Sequence, residues 1–179
     1  MAAFKGGKKL EEKLGAIAKA IGKKATLRVG FLEGAKYPDG TPVAMVAAIQ
    51  EFGAPRARIP PRPYFRTMIR EKRSEWAAGL AIQLREAGYD VAKALARMGD
   101  AIKGQLQRSI RDVTSPPLSP VTLMLRKWFP SDHSPITGRI VGAAARAVAA
   151  GESSEGASTK PLVWTGHLLN SVDSEVKEG

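Results

Sequence analysis

Apolar residues first recur at helical spacing over residues 8–23, where Leu10, Leu14, Ile17, Ala18 and Ile21 share a face opposite lysines. Lys23 and Lys24 end that segment, and cations suit the C-terminus of a helix. The period then drops to two. Across 26–32, Leu27, Val29 and Phe31 alternate with Thr26, Arg28 and Gly30, which predicts a half-buried strand. Pro38-Asp39-Gly40 marks a turn, because proline presets φ and glycine accepts positive φ. The loop around it is either the tip of a hairpin or a free lobe. Thr41 and Pro42 read as N-cap and first-turn proline of a short helix carrying Val43, Val46, Ala47 and Gln50 to Phe52, stopped by Gly53.

Residues 53–66 break all periodicity. Pro55, Pro60, Pro61 and Pro63 fix four φ angles and remove four N–H donors, which predicts an extended, stiff connector. A helix over 63–87 follows, with Phe65, Met68, Ile69, Trp76, Leu80 and Leu84 on one stripe. Arg62, Arg66, Arg70 and Arg73 fall at i, i+4, i+8 and i+11, a basic stripe beside it. Gly88 closes this helix and Asp90 caps the next, over 90–112, whose apolar set is Val91, Leu95, Met98, Ile102, Leu106 and Ile110. So short a break allows an antiparallel pair or one long kinked helix. Ser119 and Pro120 start a short helix to Trp128, and 138–150 is a weakly amphipathic one. Residues 151–159 are rich in Ser, Gly and Glu, as mobile segments are. The end, from Leu162 to Val176, reads as a turn, one helical turn and a strand. There is no internal repeat.

The length, 179 residues, suits one domain with an appendage at most. With 44% hydrophobic but only 6% aromatic residues, the core is expected to be aliphatic and alanine-rich. The absence of cysteine excludes disulfides and thiolate metal sites. No apolar run approaches the roughly 18 residues of a membrane span. The N-terminal stretch lacks the apolar core of a signal peptide, so a cytoplasmic protein is expected. Net charge is +11, unevenly spread. Residues 151–179 hold two lysines against five acids, a net of −3, which leaves +14 for the first 150. Arg56 to Arg73 alone contains seven bases and one acid. Such asymmetry points to nucleic acid or an acidic protein surface, against the plainer alternative of a solvated basic face.

Catalytic chemistry finds little support. Of two histidines, His133 is adjacent to Asp132 and His167 to Gly166 in Thr165-Gly166-His167, but neighbours in sequence do not converge on a common ligand. No metal spacing, dinucleotide fingerprint or P-loop is present. No enzymatic activity, cofactor or metal is expected. Helix-turn-helix grammar, zinc spacing and a base-stacking sheet are missing too, so nucleic-acid contact, if any, is expected to be non-specific.

Four pieces together carry a resemblance: Tyr37-Pro-Asp-Gly-Thr-Pro-Val-Ala-Met-Val-Ala-Ala-Ile-Gln-Glu-Phe-Gly53, Ile59-Pro-Pro-Arg-Pro-Tyr-Phe-Arg66, Pro117-Leu-Ser-Pro-Val-Thr-Leu-Met-Leu-Arg-Lys127 and Lys160-Pro-Leu-Val-Trp-Thr-Gly-His-Leu-Leu-Asn-Ser-Val172. The chain resembles the tail-completion, neck and tail-terminator proteins of tailed bacteriophages, over roughly 26–127 and 160–176. Tyr64 stands where that pattern usually has Phe, Trp164 where it often has Asp, and 128–159 is longer, as an insertion would be.

The resemblance implies an α+β fold with a small, mostly antiparallel sheet packed by helices. It divides the chain into an N-terminal basic helix (1–25), a core (26–127 with 160–179) and the 128–159 insertion. It also implies a structural role without catalysis, in a ring, hexameric by resemblance, around the DNA channel at the head–tail junction. The partners would be further copies and neighbouring neck or tail proteins. The location would be the host cytoplasm during assembly and the virion afterwards. Arg56, Arg58, Arg62, Arg66, Arg70, Arg73, Tyr64 and Phe65 are the expected interface to subunits or DNA. The stiff basic connector and the acidic C-terminal segment would be its complementary surfaces. The alternative is a DNA-binding assembly or packaging accessory protein.

Overall fold

Strands from opposite ends of the chain meet in one antiparallel pair, β1 (Ala25–Phe31) with β2 (Val172–Glu178). Leu27 lies opposite Val176, Val29 opposite Ser174 and Phe31 opposite Val172. The computed structural model describes residues 7–22, 24–130 and 136–178. Among these, seven α-helices accompany the sheet: α1 (Gly7–Ile21), α2 (Val43–Phe52), α3 (Tyr64–Glu86), α4 (Val91–Asp112), α5 (Pro120–Trp128), α6 (Gly138–Ala149) and α7 (His167–Asn170). The fold is α+β. Lys23, Asp132, His133 and the side chain of Leu10 lie outside the described residues.

The alternation in β1 does what its period requires. Leu27, Val29 and Phe31 pack on the core, while Arg28 on the other face pairs with Glu175 across the strands at 3.5 Å. Both strands rest on α4, whose buried stripe is Ala94, Met98, Ile102, Leu106 and Ile110. Gly99 permits that approach: a Cβ there would sit 2.9 Å from Leu27 Cδ1 and 3.0 Å from Ser174 Cβ.

The two long helices form an antiparallel pair. Ser109 Oγ donates to the Tyr64 carbonyl (2.7 Å) and Trp76 Nε1 to Gln105 Oε1 (2.9 Å), so the start of α3 meets the end of α4. Gly88 and Tyr89, both at positive φ, reverse the chain, and the Asp90 carboxylate accepts from Lys93 N–H as the N-cap of α4.

Residues 36–42 form the tip of a small hairpin, with Lys36 bridged to Pro42 and the Gly40 N–H bonded to the Tyr37 carbonyl. Thr41 belongs to that tip: its N–H donates to Asp39 Oδ1 and its carbonyl accepts from Tyr37 N–H. The expected Thr41 cap is therefore corrected by one residue, and α2 starts after Pro42 with no capping side chain. The helices α5 and α6 pack on each other, and each has a fully buried residue, Met124 and Ala144. Helix α1 forms where its periodicity predicts, yet none of its described side chains belongs to the core cluster, and Leu14 and Ile21 stay exposed.

Candidate assembly interface

The segment at 53–66 starts at a position that only glycine fits. Gly53 has φ 78°, and a Cβ there would lie 2.9 Å from both Ile59 O and Pro61 N. From Gly53 the chain folds back on itself. Ala54 and Ile59 exchange N–H···O bonds of 2.9 and 3.1 Å, closing a loop made of a 3₁₀ turn at Pro55–Ala57 and a left-handed Arg58. The extended connector expected from the prolines is thus corrected. The φ that suits an extended chain also suits a 3₁₀ turn, and paired backbone groups select the turn. Arg56 and Arg58 stand exposed at its tip.

The arginine stripe then divides. Arg62, only 4% exposed, turns inward: its Nε donates to the Pro116 carbonyl (3.2 Å) and Nη1 to Gln50 Oε1 (3.1 Å). Arg66 is held by Glu51. The buried Glu51 carboxylate, near the end of α2, accepts from the Phe65 N–H (2.8 Å), the Arg66 N–H (3.2 Å) and Arg66 Nε (2.7 Å). It takes the place of a cap for α3, whose own N-cap residue, Pro63, provides none. The Arg66 guanidinium also lies 4.9 Å from the centre of the Phe52 ring. Arg70, with Glu71 at 3.8 Å, and Arg73 remain solvent-facing.

Tyr64, grouped with the interface by its sequence context, is a core residue at 2% exposure, its hydroxyl donating to the Ala47 carbonyl (3.2 Å). Burial, then the charge of Glu51, then Tyr37 push its phenol well above the usual tyrosine range. Of the eight expected interface residues, Arg56, Arg58, Arg70 and Arg73 face solvent, Arg66 is exposed but held by Glu51, Phe65 is half-buried, and Arg62 and Tyr64 are interior.

The acidic C-terminal segment, 151–179, is committed in part. Asp173 and Glu175 in β2 pair with Lys103 (2.9 Å) and with Arg28 and Lys177, and Glu152 pairs with Lys127 at 3.8 Å. The hydrogen bond from Lys103 is the main cause that lowers the Asp173 carboxyl below the usual range. Three of the segment's five acids thus meet the chain's own bases.

What lies open next to the basic loop is apolar. Of the ten residues of α2, all but Gln50 and Glu51 are apolar: the run Val43-Ala-Met-Val-Ala-Ala-Ile49 and Phe52. A helix apolar all round belongs in an interior, yet α2 is buried along one side only. Ala44, Met45, Ala48 and Phe52 face solvent, Phe52 at 63% exposure. Between α2, β1 and the start of α3 runs an open groove of about 320 Å³, lined by Phe31, Leu32, Ala44, Ala48, Phe52 and Phe65 among others.

Among the described residues, no group of three or more His, Cys, Asp or Glu can hold a metal ion, and no helix is long and apolar enough to cross a membrane. His167 stacks on Tyr37 at 4.5 Å, and its Nε2 donates to the Lys36 carbonyl at 3.0 Å. No family model, curated protein or solved structure matches the chain.

Sequence reasoning missed Glu51 and Arg126 as organising groups. The signal for Glu51 was a lone acid on an otherwise apolar helix, just ahead of a helix start without a capping residue. For Arg126 it was a base directly after the mostly apolar run Val121 to Leu125 of α5.

Proposed function

We propose that this chain is a structural subunit of a tailed-bacteriophage particle, a neck, tail-terminator or tail-completion protein at the head–tail junction. It would act by assembling with copies of itself into a ring around the DNA channel, a hexamer by resemblance. The observation that carries the self-assembly is α2, apolar on every side but covered on one. Leaving Ala44, Met45, Ala48 and Phe52 in water forgoes burial energy of about 25 cal/mol per Å², which a neighbouring copy recovers. A ring contact is heterologous, so the partner surface lies elsewhere on the molecule. The placement at a phage head–tail junction rests on the sequence motifs at 37–53, 59–66, 117–127 and 160–172.

The test is the mass of the purified chain by sedimentation, with detection of the chain in purified particles. The expected result is a closed oligomer that Ala48→Glu with Phe52→Glu reduces to monomers of unchanged helical content. A chain that stays monomeric at high concentration and is absent from particles would sink the proposal.

One observation favours the second reading, a DNA-binding accessory protein: Arg56, Arg58, Arg70 and Arg73 remain solvent-facing. In a ring, the same four residues would suit the wall of the channel.

A further inference from the structure

Burying a guanidinium is costly unless a counter-charge comes with it. Two are buried here without one among the described residues. Arg126 is 6% exposed and Arg62 4%, and neither has a carboxylate of a described residue at ion-pair distance. The hydrogen bonds of Arg126 all go to carbonyls: its Nη1 donates to Ser158 O (3.0 Å), Lys160 O (2.6 Å) and Val163 O (3.3 Å), and its Nη2 to Pro161 O (2.9 Å), while the guanidinium also lies 5.8 Å from the centre of the Trp164 ring. Its Nε–H is buried without an acceptor. Burial, then the neighbouring charge of Arg62, both disfavour the charged form of Arg126.

Arg126 forms part of the wall of a pocket of about 150 Å³ that also includes Tyr37, Gln50, Thr165 and His167. A phenol, an amide, a hydroxyl, an imidazole and a guanidinium line it, and no acid does. Because a carbonyl can only accept, the bond to Lys36 O fixes a proton on His167 Nε2. The walls come from four separate segments: the 36–42 hairpin, α2, α5 and the 161–168 stretch.

We infer that this pocket binds a small oxyanion, a phosphate or a carboxylate, which neutralises Arg126 and ties the four segments together. The site is separate from the apolar groove and does not depend on the assembly proposed above. An anion here needs no acid from the chain, in keeping with a lining that holds hydroxyl, amide and guanidinium donors and no carboxylate. It would link the C-terminal stretch that leads into β2 to the hairpin that leads into α2.

The experiment is thermal unfolding of the full chain in phosphate, in acetate and in chloride at matched ionic strength, with calorimetric titration of phosphate. The expected result is a saturable rise in Tm of about 3–5 °C at tenfold excess over the dissociation constant, with one anion per chain. Phosphate alone acting identifies a tetrahedral oxyanion, and acetate acting equally identifies a carboxylate; both support the site. His167→Leu should weaken binding at least tenfold while melting normally in chloride. Because Arg126→Gln risks unfolding, Thr165→Val serves as the second variant, with the same expectation. Arg70→Ser with Arg73→Ser, on the open basic face, should leave binding unchanged. If neither anion exceeds chloride, or if only the Arg70/Arg73 variant abolishes the effect, the inference fails.

Discussion

At the residue scale, Glu51 decides how the basic segment is used. One carboxylate accepts two backbone N–H groups of the first turn of α3 and the side chain of Arg66. Glu51→Ala should therefore destabilise the chain by about 2–3 kcal/mol, lowering Tm by roughly 5–10 °C, while Glu51→Gln, which keeps an acceptor, should cost about half as much. Urea and thermal melts measure both. Tyr64 makes a second test. Its folded phenol titrates above the ordinary value because burial, then Glu51, disfavours the anion. The resulting stability is fully present below the unfolded pKa near 10 and is lost as pH rises from there toward the folded value. The chain should thus lose up to about 1.4 kcal/mol per pH unit above pH 10, and Tyr64→Phe should lose less. At this scale the sequence was least legible. Seven bases against one acid described the composition of 56–73 correctly, but the acid that matters, Glu51, lies before the segment. No local spacing tells that Arg62 turns inward to the Pro116 carbonyl.

At the element scale, the periodicities of α3, α4 and β1 were legible because each buries one continuous face. The spacing of Met98, Ile102, Leu106 and Ile110 alone specifies the buried side of α4. The reversal at Gly88-Tyr89 was legible as a break but not as a direction, since an antiparallel pair depends on contacts such as Trp76 with Gln105 that sequence spacing does not encode. The proline loop failed for a different reason: proline restricts φ without choosing between extended chain and 3₁₀ turn. A contrast within α4 tests how tightly the sheet rests on it. Gly99→Ala places a Cβ against Leu27 and Ser174 and should destabilise by about 1–2 kcal/mol after the gain in helix propensity. Gly104→Ala has nothing within 4 Å and should stabilise by up to about 1 kcal/mol. Equilibrium denaturation of the two variants should give opposite signs.

At the scale of the whole molecule, charge and apolar surface make separable demands. If copies meet through the outer side of α2, the association should change little between low and high salt, because burial of apolar surface is not screened. Contact of Arg56, Arg58, Arg70 and Arg73 with duplex DNA should instead fall with a log–log salt slope of roughly −0.9 per phosphate neutralised, about −3.6 for four. Sedimentation and DNA titration across the same salt series check both, and a steep salt dependence of the oligomer would contradict the α2 contact. Net charge and its uneven spread were readable from composition. Their use was not, because Asp173 and Glu175 of β2 pair with Lys103 and Arg28 within the chain.

The pairing of β1 with β2 carries a consequence for how the molecule comes into being. Ala25 has Glu178 as its partner, 153 positions further along the chain. The α3–α4 hairpin can form from local contacts, but its sheet-facing side, around Met98 and Gly99, waits for β2. Folding should therefore be fast to a helical intermediate and slow to the native state, since closing so long a loop is entropically expensive. A nascent chain stalled before β2 emerges would keep that apolar side exposed for as long as the stall lasts.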